Sequence, residues 1–393
     1  MNERNSVPNI RFNGFEDEWK LSKLGNDLIS IHTGTNLLGS EKAGGIPLIK
    51  MGNLKNGFFD FSKLDYLPIC ENVKNEDKVR FGDFLFNTRN TLDLVGKGAT
   101  WMYESTKFAY NNNIAKFNFQ NSINTVFFNY LYNTYNVMNQ VHARATGTTS
   151  VAAIYPKSLD SIIYNLPSKH EQQKIGNFFA KLDKLLDLQQ QKIDKLELLK
   201  KALLQKLFPK HDAKIPELRF KVYKDNWESK KFKNILNYER PDKYIVKSDN
   251  YSNNGIPVLT ANKSFILGYT QEPNFYEKSL PVIIFDDFTL DCKLVSFPFK
   301  IKSSAIKILS PNNFSDIWFD FYLLKVTYFI KEGHARHYIS IVQSKITNVP
   351  GKAEQQKIGN LLSKVDQLIE LENKKLENLQ QFKKCLLQNM FVE

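Results

Sequence analysis

Apolar residues recur at alternating three- and four-residue intervals in two long stretches of the chain, Glu171 to Phe208 and Glu354 to Phe391. In the first they fall at Ile175, Phe179, Leu182, Leu186, Ile193, Leu196, Leu203 and Leu207. In the second they fall at Ile358, Leu362, Val365, Ile369, Leu376, Leu379, Leu386 and Met390. Such spacing, sustained over this length, predicts two long helices that pair through a coiled-coil seam. Each would run roughly 57 Å at about 1.5 Å per residue. Two seam positions are polar in both stretches, Gln189 with Glu372 and Lys200 with Lys383. Polar seam residues cost stability but fix register and partner, which predicts a defined pairing rather than open-ended bundling.

The two stretches are copies of one another. They align without a gap at a shift of 183 residues, and half of their positions are identical. A repeat this long is a statement about architecture, and its period is too great for a solenoid. The segments ahead of the helices also begin alike. PNIRFNGFEDEW (from Pro8) parallels PELRFKVYKDNW (from Pro216), GGIPLIKMGN parallels NGIPVLTANK, and VHARATG parallels GHARHYI. Between these landmarks the two segments share little. The predicted organisation is a domain over residues 1–167, a helix over 168–209, a second domain over 210–350 and a second helix over 351–393. A helical hairpin serving only as a core would not explain why the element follows two dissimilar domains.

Within the domains, period-two runs such as KVRFGDFLFNT, IAKFNF, PVIIFDDF and SAIKIL alternate with turn residues and predict strands. TVFFNYLYNTYNVMNQ and DIWFDFYLLKVTYFI are aromatic and free of turn signals, and predict one helix each. The fold class expected is α+β: two tandem domains of common frame, each followed by a long helix. Pro167 and Pro350 mark the stops before the helices begin.

Composition adds limits. The net charge is +13, from 54 Lys and Arg against 41 Asp and Glu, but no tail or block carries a single sign. Charge alone therefore supports nucleic-acid binding weakly. No apolar run reaches membrane-spanning length, and MNERNSVPNI does not resemble a signal peptide. Cys70, Cys292 and Cys385 are far apart and form no disulfide or metal pattern, so a reducing cytoplasm is the expected setting. The six histidines show no ligand spacing. A search for catalytic motifs finds no GxxxxGKS/T phosphate loop and no GxGxxG after a strand. The Asn/Asp-Pro-Pro-aromatic tetrapeptide of amino-methyltransferases is missing too. Asp286, Asp287, Asp291 and Lys293 could imitate a metal-dependent nuclease site, but no paired upstream acid supports them. The pattern is that of a reader, not a catalyst, and no cofactor is expected in this chain.

The doubled frame, the EQQKIG opening of each helix and the run GDFLFNTRNTLDLVGK together resemble the specificity subunit of type I restriction–modification systems. IPVLTANKSFILGYT and VIIFDDFTLDCKLVSFPFKIKSSAIKIL resemble another recognition-domain variant of that family. The resemblance covers essentially the whole chain. It implies a non-catalytic subunit that binds a bipartite, asymmetric double-stranded DNA target through two recognition domains held by an antiparallel helix pair. It implies as partners two methyltransferase subunits, which use S-adenosylmethionine, and two restriction subunits, which use ATP and Mg.

Phosphates are met by Lys, Arg and small polar donors, and base edges by Arg, Asn, Gln and Lys on loops. In the first domain such groups stand beside glycine at Lys50 and Asn53, at Arg89, Asn90 and Lys97, and at Arg144, Thr146 and Thr148. The matching places in the second domain hold Asn262 and Lys263, then Thr289 and Lys293, then Arg336, His337 and Tyr338. An autonomous nucleic-acid scaffold and a nuclease with an unfamiliar site remain the alternatives at this point.

Overall fold

The computed structural model describes residues 6–42, 44–69, 71–104, 107–148, 150–210, 213–260, 264–330 and 337–392. The chain divides into two compact units, residues 1–189 with 375–393, and residues 190–374. Each unit holds one domain and parts of both long helices. These helices are the central helix, Lys169–Lys206, and the C-terminal helix, Lys352–Asn389.

The first unit is built on an antiparallel four-stranded sheet in the order Leu28–Thr33, Ile114–Phe119, Phe84–Asn87 and Gly98–Thr100. The strand Phe84–Asn87 is buried throughout, because alternate side chains enter two different cores. Phe84 and Phe86 join Phe117, Phe127 and Phe128 on one side, and Leu85 joins Trp101 and Tyr110 on the other. The second unit repeats the plan in the order Leu236–Glu239, Ile306–Pro311, Val282–Asp286 and Cys292–Val295. There Ile283 and Phe285 face the helices, while Val282 and Ile284 line a second core with Val295 and Phe299.

The long helices complete these cores. In the first unit Ile175, Phe179 and Leu182 from the start of the central helix meet Leu386 near the end of the C-terminal helix and Met390 and Phe391 just past it. In the second, Ile358 and Leu362 meet Leu207 and Phe208, with Leu203 packed against them. Start thus lies against end in both units, so the helices pair antiparallel. Ile193, Val365 and Leu376 are buried as well, and Leu186, Leu196, Ile369 and Leu379 are half-buried. The polar seam lysines have partners: Lys200 lies 2.6 Å from Asp366, and Lys383 pairs with Asp183. Asp183 also accepts the Tyr130 hydroxyl at 2.8 Å, and Asp366 that of Tyr322 at 2.7 Å. Glu372 is buried and receives Lys192 at 2.8 Å.

The EQQKIG opening is where each helix is fastened to its domain. Glu171 takes two hydrogen bonds from Arg11, at 2.7 and 2.8 Å, and Glu354 takes two from Arg219, both at 2.8 Å. The following glutamines grip the next helix of the domain. Gln172 accepts from the Asn124 backbone at 2.9 Å and donates to the Pro167 carbonyl; Gln355 accepts from Asp316 at 3.0 Å and donates to Pro350. Asn124 and Asp316 in turn cap the helices Thr125–Tyr132 and Ile317–Val326. The glycine lets those caps come close: a Cβ at Gly176 would lie 2.7 Å from the Phe127 nitrogen, and one at Gly359 2.9 Å from that of Phe319.

Two sequence expectations change. The helix expected over Thr125 to Gln140 is two helices, Thr125–Tyr132 and Tyr135–His142. Asn133 turns its carboxamide onto the Asn129 and Gly98 carbonyls, and Thr134 adopts an extended conformation between them. The helix expected to reach Ile330 stops at Val326, because Thr327 is extended.

Candidate nucleic-acid interface

Three short strands bring separate parts of the first domain into one exposed rim. Arg89–Asn90 pairs with Ala152–Ala153, which pairs with Thr146–Gly147. Arg89 and Thr146 therefore flank Ala153. Gly147 has a φ of 132°, and a Cβ there would sit 2.3 Å from the Val151 carbonyl oxygen, so the turn requires glycine. Arg89 is exposed, and its guanidinium makes no ion pair among the described residues. Asn90 caps the Thr91 amide at 2.9 Å, Thr146 donates to the Ala153 carbonyl, and Thr148 lies 3.2 Å from the Ser150 hydroxyl. Lys97 is half-buried, and burial, with the nearby Lys55 charge second, lowers its pKa. Its ammonium is the more readily satisfied by an incoming anion.

This rim continues into a cleft of about 630 Å³. Thr88 joins the two: its amide and its hydroxyl both donate to the Asn113 carbonyl, at 2.9 and 2.8 Å. Lys50 stands in the cleft and ion-pairs with Asp65. Sequence reading alone did not single out the Asn36 and Asn112 side chains on the same cleft. The only signal was the run Asn111-Asn112-Asn113 between two apolar strands.

Several sequence candidates have their side chains engaged within the domain. Asn53 is buried, with its carboxamide accepting from the Lys50 amide and donating to the Asp60 and Lys63 carbonyls. It shapes the turn that carries Lys50. Arg144 is a strut: it donates to the Gln140 and Ser158 carbonyls and to the Ser161 hydroxyl, tying the helix Tyr135–His142 to the following turn. In the second domain His337 and Tyr338 are fully buried. Tyr338 packs between Tyr238 and Phe285, and its amide donates to Asp287 at 2.7 Å. His337 Nδ1 hydrogen-bonds the Asp287 carbonyl at 2.9 Å. Such polar residues look like loop donors in sequence, but nearby backbone groups engage Asn53 and Arg144, and contacts some fifty residues away bury His337 and Tyr338.

Thr289 is exposed and donates its hydroxyl to Asp286, while Lys293 is half-buried, 4.2 Å above the Phe265 ring. Asn262, Lys263 and Arg336 lie outside the described residues. The acidic cluster serves the fold: Asp286 caps the Phe288 amide, and Asp287 holds Tyr338 and lies 3.2 Å from buried Lys307. Among the described residues, no group of three or more His, Cys, Asp and Glu is arranged to hold a metal ion. None of the helices described is long and apolar enough to cross a membrane.

Two domains of one plan, each fastened to a long helix by the same contacts, define a tandem two-domain protein. The sequence model of the type I restriction modification DNA specificity domain matches residues 16–198 and again residues 224–381. The chain belongs to that family and carries two such domains in tandem. It is 44% identical over 123 residues, 30% of either chain, to the specificity subunit of the type I restriction enzyme EcoR124I/EcoR124II of Escherichia coli. It is 23% identical to a putative type I restriction enzyme MjaX specificity subunit of Methanocaldococcus jannaschii, an alignment covering 94% of this chain and 92% of the relative. Its fold is similar to that of the S subunit of a type I restriction–modification system from M. genitalium, with a TM-score of 0.65, 17% identity, and coverage of 98% and 99% of the two chains.

Proposed function

We propose that this chain acts in the cytoplasm as a non-catalytic reader of double-stranded DNA, each domain recognising one half of a bipartite, asymmetric target. The observation that carries this is the repeated frame. Arginine–glutamate, glutamine–cap and glycine contacts recur at both helix openings, while the residues at the matching recognition positions differ, Arg89 and Lys97 in one domain and Thr289 and Lys293 in the other. One position and two different surfaces suit one task performed on two sequences. Arg89, Asn90, Lys97, Thr146, Thr148 and Lys50 supply contacts in the first domain, and Thr289, Lys293, Asn262, Lys263 and Arg336 in the second.

The partners are two methyltransferase subunits, which bring S-adenosylmethionine, and two restriction subunits, which bring ATP and Mg. Support for paired partners lies on the long helices. Leu185 and Leu188 of the central helix are exposed, and so are Leu368 and Leu371 at the matching positions of the C-terminal helix. Leu199 and Phe382 form a third exposed pair at the same repeat spacing. Each unit therefore shows an equivalent apolar stripe, as two copies of one methyltransferase subunit require.

Co-expression with the cognate methyltransferase, followed by genome-wide sequencing of modified bases, tests the proposal. A bipartite motif with two unlike halves is expected. Methylation by the isolated chain, or metal-dependent cleavage by it, would overturn the non-catalytic assignment.

A further inference from the structure

Several carboxamides in the first domain serve its own backbone. Asn53, Asn87, Asn129 and Asn133 are each bonded to main-chain groups. Asn36 and Asn112 differ. Both are exposed on the cleft, and Asn112 Nδ2 donates to Asn36 Oδ1 at 2.6 Å across 76 residues of chain. Two ordered surface side chains add little to stability. What the bond does is orient them. Once it is made, Asn112 Oδ1 is left as an acceptor and Asn36 Nδ2 as a donor, neither engaged among the described residues.

Asn112 itself also keeps the second hydrogen of Nδ2 beside its free Oδ1, the two groups with which one carboxamide reads a base edge. In the major groove adenine offers the N6 amino group as donor and N7 as acceptor, the pair that a carboxamide reads. An apolar contact with the thymine methyl is the usual companion of such readout. Leu38, 88% exposed, stands on the same cleft. Lys63 is exposed there with no ion pair among the described residues, and Lys55 lies 3.6 Å from Asp60; both are placed for phosphates.

We propose that the linked Asn36–Asn112 carboxamides read an A·T base pair in the half-site recognised by the first domain. This rests on the chain being a DNA reader, and the test separates the two. The unaltered chain, Asn36→Ala, Asn112→Ala and Asn112→Gln are each co-expressed with the cognate methyltransferase subunit, and modified sites are mapped genome-wide. Melting temperatures are measured alongside. Both alanine variants should melt with the unaltered chain and relax one A·T position of one half-site. Discrimination there should fall about 10- to 100-fold, with the other half-site unchanged. Asn112→Gln should retain part of the preference. An unchanged motif in both alanine variants overturns the proposal, as does a uniform loss across all sites. An unaltered chain that directs no methylation contradicts the DNA-reader assignment together with it.

Discussion

The turn Asn111–Asn113 of the first domain and the turn Ser303–Ala305 of the second occupy the same place on their sheets. Thr88 donates its amide to the Asn113 carbonyl at 2.9 Å, and Asp287 donates to that of Ala305 at 3.0 Å. Side chains at these matched places do different things. The first turn exposes Asn112, linked to Asn36, and the Thr88 hydroxyl adds a second bond to the Asn113 carbonyl. In the second, Asp287 is buried, holding the Tyr338 amide and pairing with Lys307. Backbone contacts set position, and the residues above them are free to change. The helix openings show the opposite behaviour, because there the side chains themselves are the frame and both copies keep them.

This contrast can be broken most severely at the frame. Glu171→Ala leaves Arg11 without its carboxylate, and Glu354→Ala does the same to Arg219; both glutamates are buried. Each variant should lose about 3–5 kcal/mol, similar in the two units, by denaturant melting. A large loss in one unit alone would show that the two openings are not equivalent. A smaller loss is expected from Gly176→Ala and Gly359→Ala. Their added methyl groups would press on the Phe127 and Phe319 amides, for about 1–3 kcal/mol each.

A difference between the cores sharpens the comparison. Asp320 is fully buried, and its carboxyl group is hydrogen-bonded by the Ser315 hydroxyl. At the matching place the first domain carries Phe128. Burial raises the Asp320 carboxyl well above its usual range. The folded chain thus keeps a proton there that the unfolded chain releases. The stability this group contributes is complete below the ordinary carboxylate range and declines as pH rises from there toward the folded value. Asp320→Asn should remove that decline and stabilise the chain at neutral pH, on the order of 1 kcal/mol. The gain should vanish near pH 4, as followed by melting across pH.

The smallest effect on stability belongs to the rim. Arg89→Ala should change stability by no more than about 0.5 kcal/mol. If the guanidinium meets a phosphate, the variant should lower the salt dependence of DNA binding by about 0.9 in logarithmic slope, measured by titration over a range of ionic strength.

Much of the frame was legible in the sequence because it is local and periodic. The seam leucines announce the helices, and Pro167 and Pro350 announce their starts within two residues. The repeated EQQKIG signalled importance, but its meaning needed Arg11, Asn124 and their counterparts, 39 to 160 residues away in sequence. The rim was legible only in part. Arg89, Thr146 and Thr148 stand exposed where polar residues beside glycine suggest, yet the same pattern at Asn53, Arg144, His337 and Tyr338 serves packing. Residue type and turn chemistry do not say whether a distant strand will cover a side chain. The Asn36–Asn112 pair has no local signature beyond the run Asn111-Asn112-Asn113, since it exists only once two loops meet.

The central claim is that a common frame presents two independent readers. Its most direct test is to replace residues 216–350 with the corresponding domain of another specificity chain, keeping both long helices, and to map methylation with the cognate methyltransferase. The account predicts that one half of the motif changes and the other stays as it was. A motif in which both halves change, or neither does, would contradict it.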